Sequence, residues 1–135
     1  MSMQYSVAVR NARLDAVEDT IGASPKLQLR TGAPPANCAA ADTGSLLCEI
    51  NLPADWMAAA AAGAKSKLGT WSASATAAGV IGHFRIKDSG GSVHAQGTCT
   101  VAGGGGDMTV DALSVASQQV VTVTAFTLTS AKATP

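Results

Sequence analysis

The chain has 135 residues, 47% of them hydrophobic and 13% charged, and its formal net charge is zero. That length suits one domain with a real hydrophobic core, and the sparse, balanced charge leaves no electrostatic footprint for nucleic acid or an anionic membrane surface. Alanine and valine carry most of the apolar fraction and aromatic residues make up only 4%, which argues against both a disordered tail and a deep aromatic ligand pocket.

The opening stretch "MSMQYSVAVRNARLD" lacks an apolar h-region, and no apolar run reaches transmembrane length. Neither secretion nor insertion is signalled, so the chain is expected to stay in the cytoplasm where it is made. In "SVAVRNARLDAVEDTIG", Val7, Leu14, Val17 and Ile21 fall at helical spacing, with Ser6 as N-cap and Gly22 as C-terminal stop. The spacing predicts a helix from Val7 to Ile21. Its apolar stripe is thin, and Arg10, Arg13, Asp15, Glu18 and Asp19 crowd the remainder. Such a helix lies on a surface, either of its own domain or of a neighbour. Residues 1–24 therefore read as an N-terminal helical arm and residues 25–135 as a single β-sandwich domain.

"PKLQLRTG" alternates Leu27 and Leu29 against Lys26, Gln28 and Arg30, the period of a half-buried strand. "APPANCAAADTG", with paired Pro34 and Pro35 and no periodicity, is expected to be an extended surface arm. "SLLCEINLP" sets Leu46, Cys48, Ile50 and Leu52 on one face and Leu47, Glu49 and Asn51 on the other, and Pro53 closes the strand. The alanines from Ala58 to Ala62 are strong helix formers, but Gly63 interrupts them and little beyond Met57 can pack. A short helix and a mobile loop both stay open there. "TWSASAT" predicts a strand anchored by Trp71.

In "GVIGHFRIKD", Val80, Phe84 and Ile86 oppose Ile81, His83, Arg85 and Lys87, an arrangement that turns His83 toward solvent. "DSGG" then reverses the chain. "SVHAQGTCTVA" returns as the second arm of a hairpin, with His94 placed to pair across the turn with one of His83, Arg85 and Lys87. The next stretch, "TVAGGGGDMTVDALSV", sets four consecutive glycines between strand-like runs. A phosphate-binding P-loop would need a lysine and a helix after the glycines. Here Asp107 and a β-favouring run follow instead. The dinucleotide fingerprint also needs a following helix, so the run is expected to be a hairpin connection in which glycine admits positive φ. A polar turn at Gln118 and Gln119 leads to "VVTVTAFTLTS". Short segments spaced by turns predict a mainly β chain, an antiparallel, jelly-roll-like β-sandwich of about seven or eight strands with an N-terminal helix.

Groups that could carry chemistry are few. There is no Gly-x-Ser-x-Gly elbow, and Cys38, Cys48 and Cys99 form no CxxC pair and stand apart from His83 and His94. No catalytic residue, metal or cofactor is assigned, and free thiols are expected, with a Cys38–Cys48 disulfide open only on exposure to an oxidising medium. Asp107 and Asp111 read as turn caps, since the alternating ligands of a calcium loop are absent. Trp56 and Trp71 read as core or interface anchors, with a sugar-binding platform as the alternative.

The stretches "LQLRTGAPPANCAAADTGSLLCEINLPADWM", "GHFRIKDSGGSVHAQGTC" and "GGGGDMTVDALSVASQQVVTVTAFTLT" fall between Leu27 and Thr129 and carry a resemblance that covers nearly the whole chain, from about Tyr5 to Thr129. In order and wording they resemble small virion structural proteins of tailed bacteriophages and prophages, above all capsid decoration (cement) proteins. The resemblance carries no active residues. It implies a protein made in the host cytoplasm that sits on the capsid exterior, binds the major capsid protein and itself as a dimer or trimer, and uses no enzyme activity, nucleic acid or membrane. On that expectation the helix and the proline arm meet capsid protein, and the interface residues are Tyr5, Arg10, Arg13, Leu14, Pro34, Pro35 and Trp56. A tail, baseplate or head-fibre component, with Trp56 or Trp71 meeting host glycan, is the alternative.

Overall fold

A computed structural model describes residues 3–130. Helix α1 spans Val7–Ile21 as the spacing predicts: the Ser6 hydroxyl oxygen accepts from the Val9 N–H, and Gly22, at φ 89°, ends the helix by donating its N–H to the Glu18 carbonyl. The strands that follow are β1 (Lys26–Thr31), β2 (Leu46–Asn51), β3 (Ala64–Ser66), β4 (Ser72–Ser74), β5 (Gly79–Lys87), β6 (Val93–Thr100), β7 (Met108–Val110), β8 (Ser114–Val115) and β9 (Val120–Thr129). They form one sheet in the order β2-β1-β5-β6-β7-β9-β3, with β4 also paired to β9 and β8 to β5. The sheet curls like a half-barrel. The chain just beyond β4 comes back to the far strand, where the Thr76 N–H donates to the Leu47 carbonyl at 2.8 Å.

The molecule is therefore mainly β with one N-terminal helix, but its sheet is mixed and not wholly antiparallel, because β6 and β7 run parallel. The glycine run makes this pairing possible and is not the hairpin its composition suggested. Gly103 and Gly105 take positive φ (87° and 79°), and the loop folds back onto Thr100, whose hydroxyl oxygen accepts the Gly106 N–H at 2.9 Å. The Asp107 carboxylate fastens the other side, accepting from the Thr98 N–H at 3.0 Å and from the Thr98 hydroxyl at 3.2 Å. A parallel connection ordinarily needs a dozen or more residues, so this short one depends on backbone that side chains would obstruct. A Cβ at Gly106 would stand 2.8 Å from Thr100 Cγ2 and 2.9 Å from the Thr100 backbone nitrogen. Gly106→Ala is accordingly expected to cost about 1–3 kcal/mol in a urea titration, whereas Gly90→Ala in the exposed "DSGG" turn changes the midpoint little.

The core is organised around a chain of rings. Trp71 packs on Trp56 (centroids 6.0 Å apart) and on Phe126 (5.7 Å), and Phe126 meets Phe84 edge-on at 5.6 Å. Leu27 and Leu29 stand opposite Ile86 and Phe84 in register, so their alternation does point one face of the sheet inward. Leu47, expected on the outer face of its strand, is also fully buried; the curl brings Thr76 against it.

The alanine stretch forms no helix despite its propensity. Met57 pairs with Lys67 and Ala61 with Ala64 as isolated bridges, and Ala62 and Gly63 take φ 51° and 76°. Helix α1 holds this irregular backbone through its polar side. Asn11 accepts the Gly63 N–H at 2.9 Å, Asp15 the Ala60 N–H at 3.1 Å and Glu18 the Met57 N–H at 3.3 Å. These residues lie at i, i+4 and i+7, one face of a helix. Lys65 is 2% exposed beneath them and pairs with Asp15 at 2.7 Å and Glu18 at 2.9 Å. Burial opposes its charge, but the hydrogen bonds to Asp15 and Glu18 outweigh it and raise the ammonium pKa. Tertiary contacts thus override helix propensity here.

Candidate interaction surface

On the outer face of the sheet, β5 turns Arg85 outward beneath the β1–β2 connection, and that cover leaves Arg85 only 1% exposed. Its guanidinium donates to Gln96 Oε1 at 3.1 Å, to Asp42, and to the carbonyls of Asn37, Cys38 and Ala40 at 3.2, 3.0 and 3.0 Å. Gln96 Nε2 donates to the Pro35 carbonyl at 2.7 Å. Asp42 also pairs with Arg30 at 3.1 Å and Lys87 at 2.7 Å. The expected extended arm is therefore a strap bound to its own sheet, with Pro35 buried and Pro34 half-buried.

The strap has an electrostatic signature. The hydrogen bond from Lys87, working against burial, and the bond from Arg85 with the nearby Arg30 charge, hold the Asp42 carboxyl down at about 2. A depressed carboxyl pKa contributes stability above its unfolded value, about 3.9, and that contribution is lost as pH falls through the folded value. Stability is expected to decline between about pH 4 and pH 2. Asp42→Asn should flatten that part of a thermal-midpoint-against-pH curve, while the wild-type protein keeps the slope.

Helix α1 presents the second surface. Met3, Tyr5, Val7 and Val9 are 67%, 39%, 49% and 43% exposed, four large apolar side chains at and just before the start of a helix that Asn11, Asp15 and Glu18 anchor to the domain. Arg13 lies over the Tyr5 ring, 5.1 Å from its centroid, a cation–π contact that orders the ring while leaving its edge open. Behind it, Arg10 is 8% exposed and reaches the Ala62 carbonyl at 3.4 Å, and Leu14 is 5% exposed.

Of the residues expected to form an interface, then, Tyr5 and Arg13 lie together on open surface and Pro34 lies partly on it, on the separate strap. Arg10, Leu14, Pro35 and Trp56 are packed inside this chain. Trp56 is fully buried and its indole N–H donates to the Gly22 carbonyl at 3.0 Å, tying the helix end to the core. Trp71 is equally buried, so neither indole offers a face to a sugar. The spacing places Val7 in the helix's apolar stripe, but it is 49% exposed because the buried stripe begins only at Arg10; sequence reasoning passed over Val9.

The histidines depart from expectation. His83 is not solvent-facing but fully buried, with Nδ1 at 2.9 Å from the Gly32 carbonyl, because the irregular register between Arg30 and Thr31 folds the strap's base over it. His94 pairs with none of the residues expected across the turn. It meets Asp88 at 2.8 Å, and this bond, with backbone N–H groups of Ser92 and Gly90, lowers the Asp88 pKa. The three thiols are free. Burial, reinforced by the charge of Asp107, pushes Cys99 up to about 12, and burial also raises Cys48. Among the described residues no group of three or more His, Cys, Asp or Glu side chains is placed to hold a metal ion, and no helix is long and apolar enough to cross a membrane. Compared with known protein families, curated proteins and solved structures, the chain matches none.

Proposed function

We propose that this chain is a structural protein of a tailed-phage virion, a head decoration or cement protein that binds the outside of the capsid shell and ties major capsid protein subunits together. The observation that carries the reading is the exposed apolar run Met3, Tyr5, Val7 and Val9 on a helix fixed rigidly to its domain. Large apolar side chains left exposed at the start of a helix whose own stripe, Leu14 and Ile21, is already buried mark a contact surface for another molecule. The curled sheet takes the part that the resemblance gave to a jelly-roll sandwich, a compact body that spaces the contacts. A ligand that binds only the expanded shell stabilises it by mass action, and many weak contacts multiply with copy number.

The test is cosedimentation with empty expanded capsids that lack the protein, alongside unexpanded procapsids. Saturable binding to expanded shells alone, at a fixed ratio to capsid protein, is the expected result, and Val7→Asp with Val9→Asp should abolish it. Absence of binding to either shell overturns the reading and favours a tail, baseplate or head-fibre component.

A further inference from the structure

The sheet contains a gap one strand wide. Strand β7 (Met108–Val110) lies between β6 and β9 but is short; it pairs only with Cys99 and Thr100 on one side and with Val123, Ala125 and Phe126 on the other. Before Met108 the chain leaves the sheet through the glycine loop, while β6 continues back to Val93 and β9 onward to Thr129. The two strands therefore flank a space of two inter-strand spacings, about 10 Å. A groove of 480 Å³ occupies this place, lined by Phe84, Ala95, Gln96, Phe126, Leu128 and Asp107 among others.

Both walls are hydrogen-bonding edges. The Thr98 N–H points into the gap, where Asp107 accepts it, and strand alternation turns the N–H and C=O of Gln96 the same way. On β9 the Phe126 carbonyl faces the other side, accepting from the Lys67 N–H, so Thr127 and Thr129 turn theirs into the gap. An extended segment entering there would be paired along both sides, unlike one added at an ordinary sheet edge.

We propose that the gap receives the segment Met3–Ser6 of a second copy of this chain. In sequence, Met1, Met3 and Tyr5 alternate with Ser2, Gln4 and Ser6, the period of a strand with one apolar face. Met3 and Tyr5 then face Ala95, Leu128 and the Phe84–Phe126 pair, while Gln4 and Ser6 share the outer face with Gln96 and Thr127. Within one copy the segment belongs to no helix or strand, and Tyr5 stays outside the gap over Arg13, so its own gap is left to the partner. Reciprocal insertion closes a symmetric dimer. This rests on the self-association that the resemblance to cement proteins implies and not on the capsid contact, which in such a dimer is left to Val7 and Val9, outside the inserted segment.

The experiment mixes singly substituted chains in a Cys38→Ser background, Gln4→Cys with Thr127→Cys or Thr129→Cys, under mild oxidation. The expected result is a disulfide-linked dimer containing one of each chain, no such product between Gln4→Cys and Ser117→Cys, and a dimer by light scattering for the unsubstituted protein. Met3→Asp with Tyr5→Asp should convert that dimer to a folded monomer, with an unchanged far-ultraviolet circular dichroism spectrum and a thermal midpoint that no longer depends on protein concentration. A monomeric unsubstituted protein, equal cross-linking to position 117, or only an intramolecular disulfide in the doubly substituted Gln4→Cys, Thr127→Cys chain would each overturn the proposal. Shell binding is read separately, so either reading can fail without the other.

Discussion

Trp71→Ala is expected to destabilise the fold by about 3–5 kcal/mol, the range for removing a large buried aromatic. Trp71 is fully buried and stands in the middle of the ring chain, touching Trp56 on one side and Phe126 on the other. Truncation removes both ring contacts and leaves a cavity at the centre of a curled sheet that has little room to collapse. It also leaves the Leu68 carbonyl without the indole N–H that donates to it at 3.1 Å. A urea titration followed by far-ultraviolet circular dichroism should show a much lower midpoint at an unchanged slope. Trp71→Phe keeps most of the apolar volume and should lose distinctly less. If both variants unfold at the wild-type midpoint, the ring chain is not the centre of the core.

Arg85→Met is expected to cost about 3 kcal/mol or more, for a different reason: it keeps an apolar stem and deletes the buried charge that organises the strap. The carbonyls of Asn37, Cys38 and Ala40 lose their shared donor, and Asp42 loses its buried partner but retains Arg30 and Lys87. The strap, no longer held, should become the first site of limited proteolysis, with cuts within residues 33–44 at protease levels that leave the wild-type chain intact. Combining Arg85→Met with Asp42→Asn should cost less than the sum of the single changes, because the two residues share one interaction. Strict additivity, or a strap as resistant as in wild type, would show that the guanidinium does not hold it.

The two experiments probe features of unequal visibility in the amino-acid sequence. Helix α1 was legible to its ends, because its signals are local: Ser6 as cap, Gly22 as stop and the spacing between them. So were β1, β2 and the β5–β6 hairpin, where alternation and turn residues act over a few positions. The strap was legible as a stretch without periodicity but not as bound, since what binds it is Arg85, more than forty residues later in the chain. Arg85 and His83 looked solvent-facing because alternation assigns a side of the strand and is silent on what covers that side.

The sequence by itself determined the β-rich class, the helix and the outward sign of the basic residues on β5, because each follows from periods of two or 3.6 residues and from turn chemistry. Tertiary structure alone decided that the alanine run stays irregular, that the glycine run makes a parallel connection instead of a hairpin, and that a strand-wide gap is left between β6 and β9. Those outcomes depend on which distant segment supplies each backbone partner: Asn11, Asp15 and Glu18 for the alanine run, Thr98 and Thr100 for the glycines. Local preference amounts to a few tenths of a kcal/mol per residue, and it gives way where long-range hydrogen bonds and burial act together.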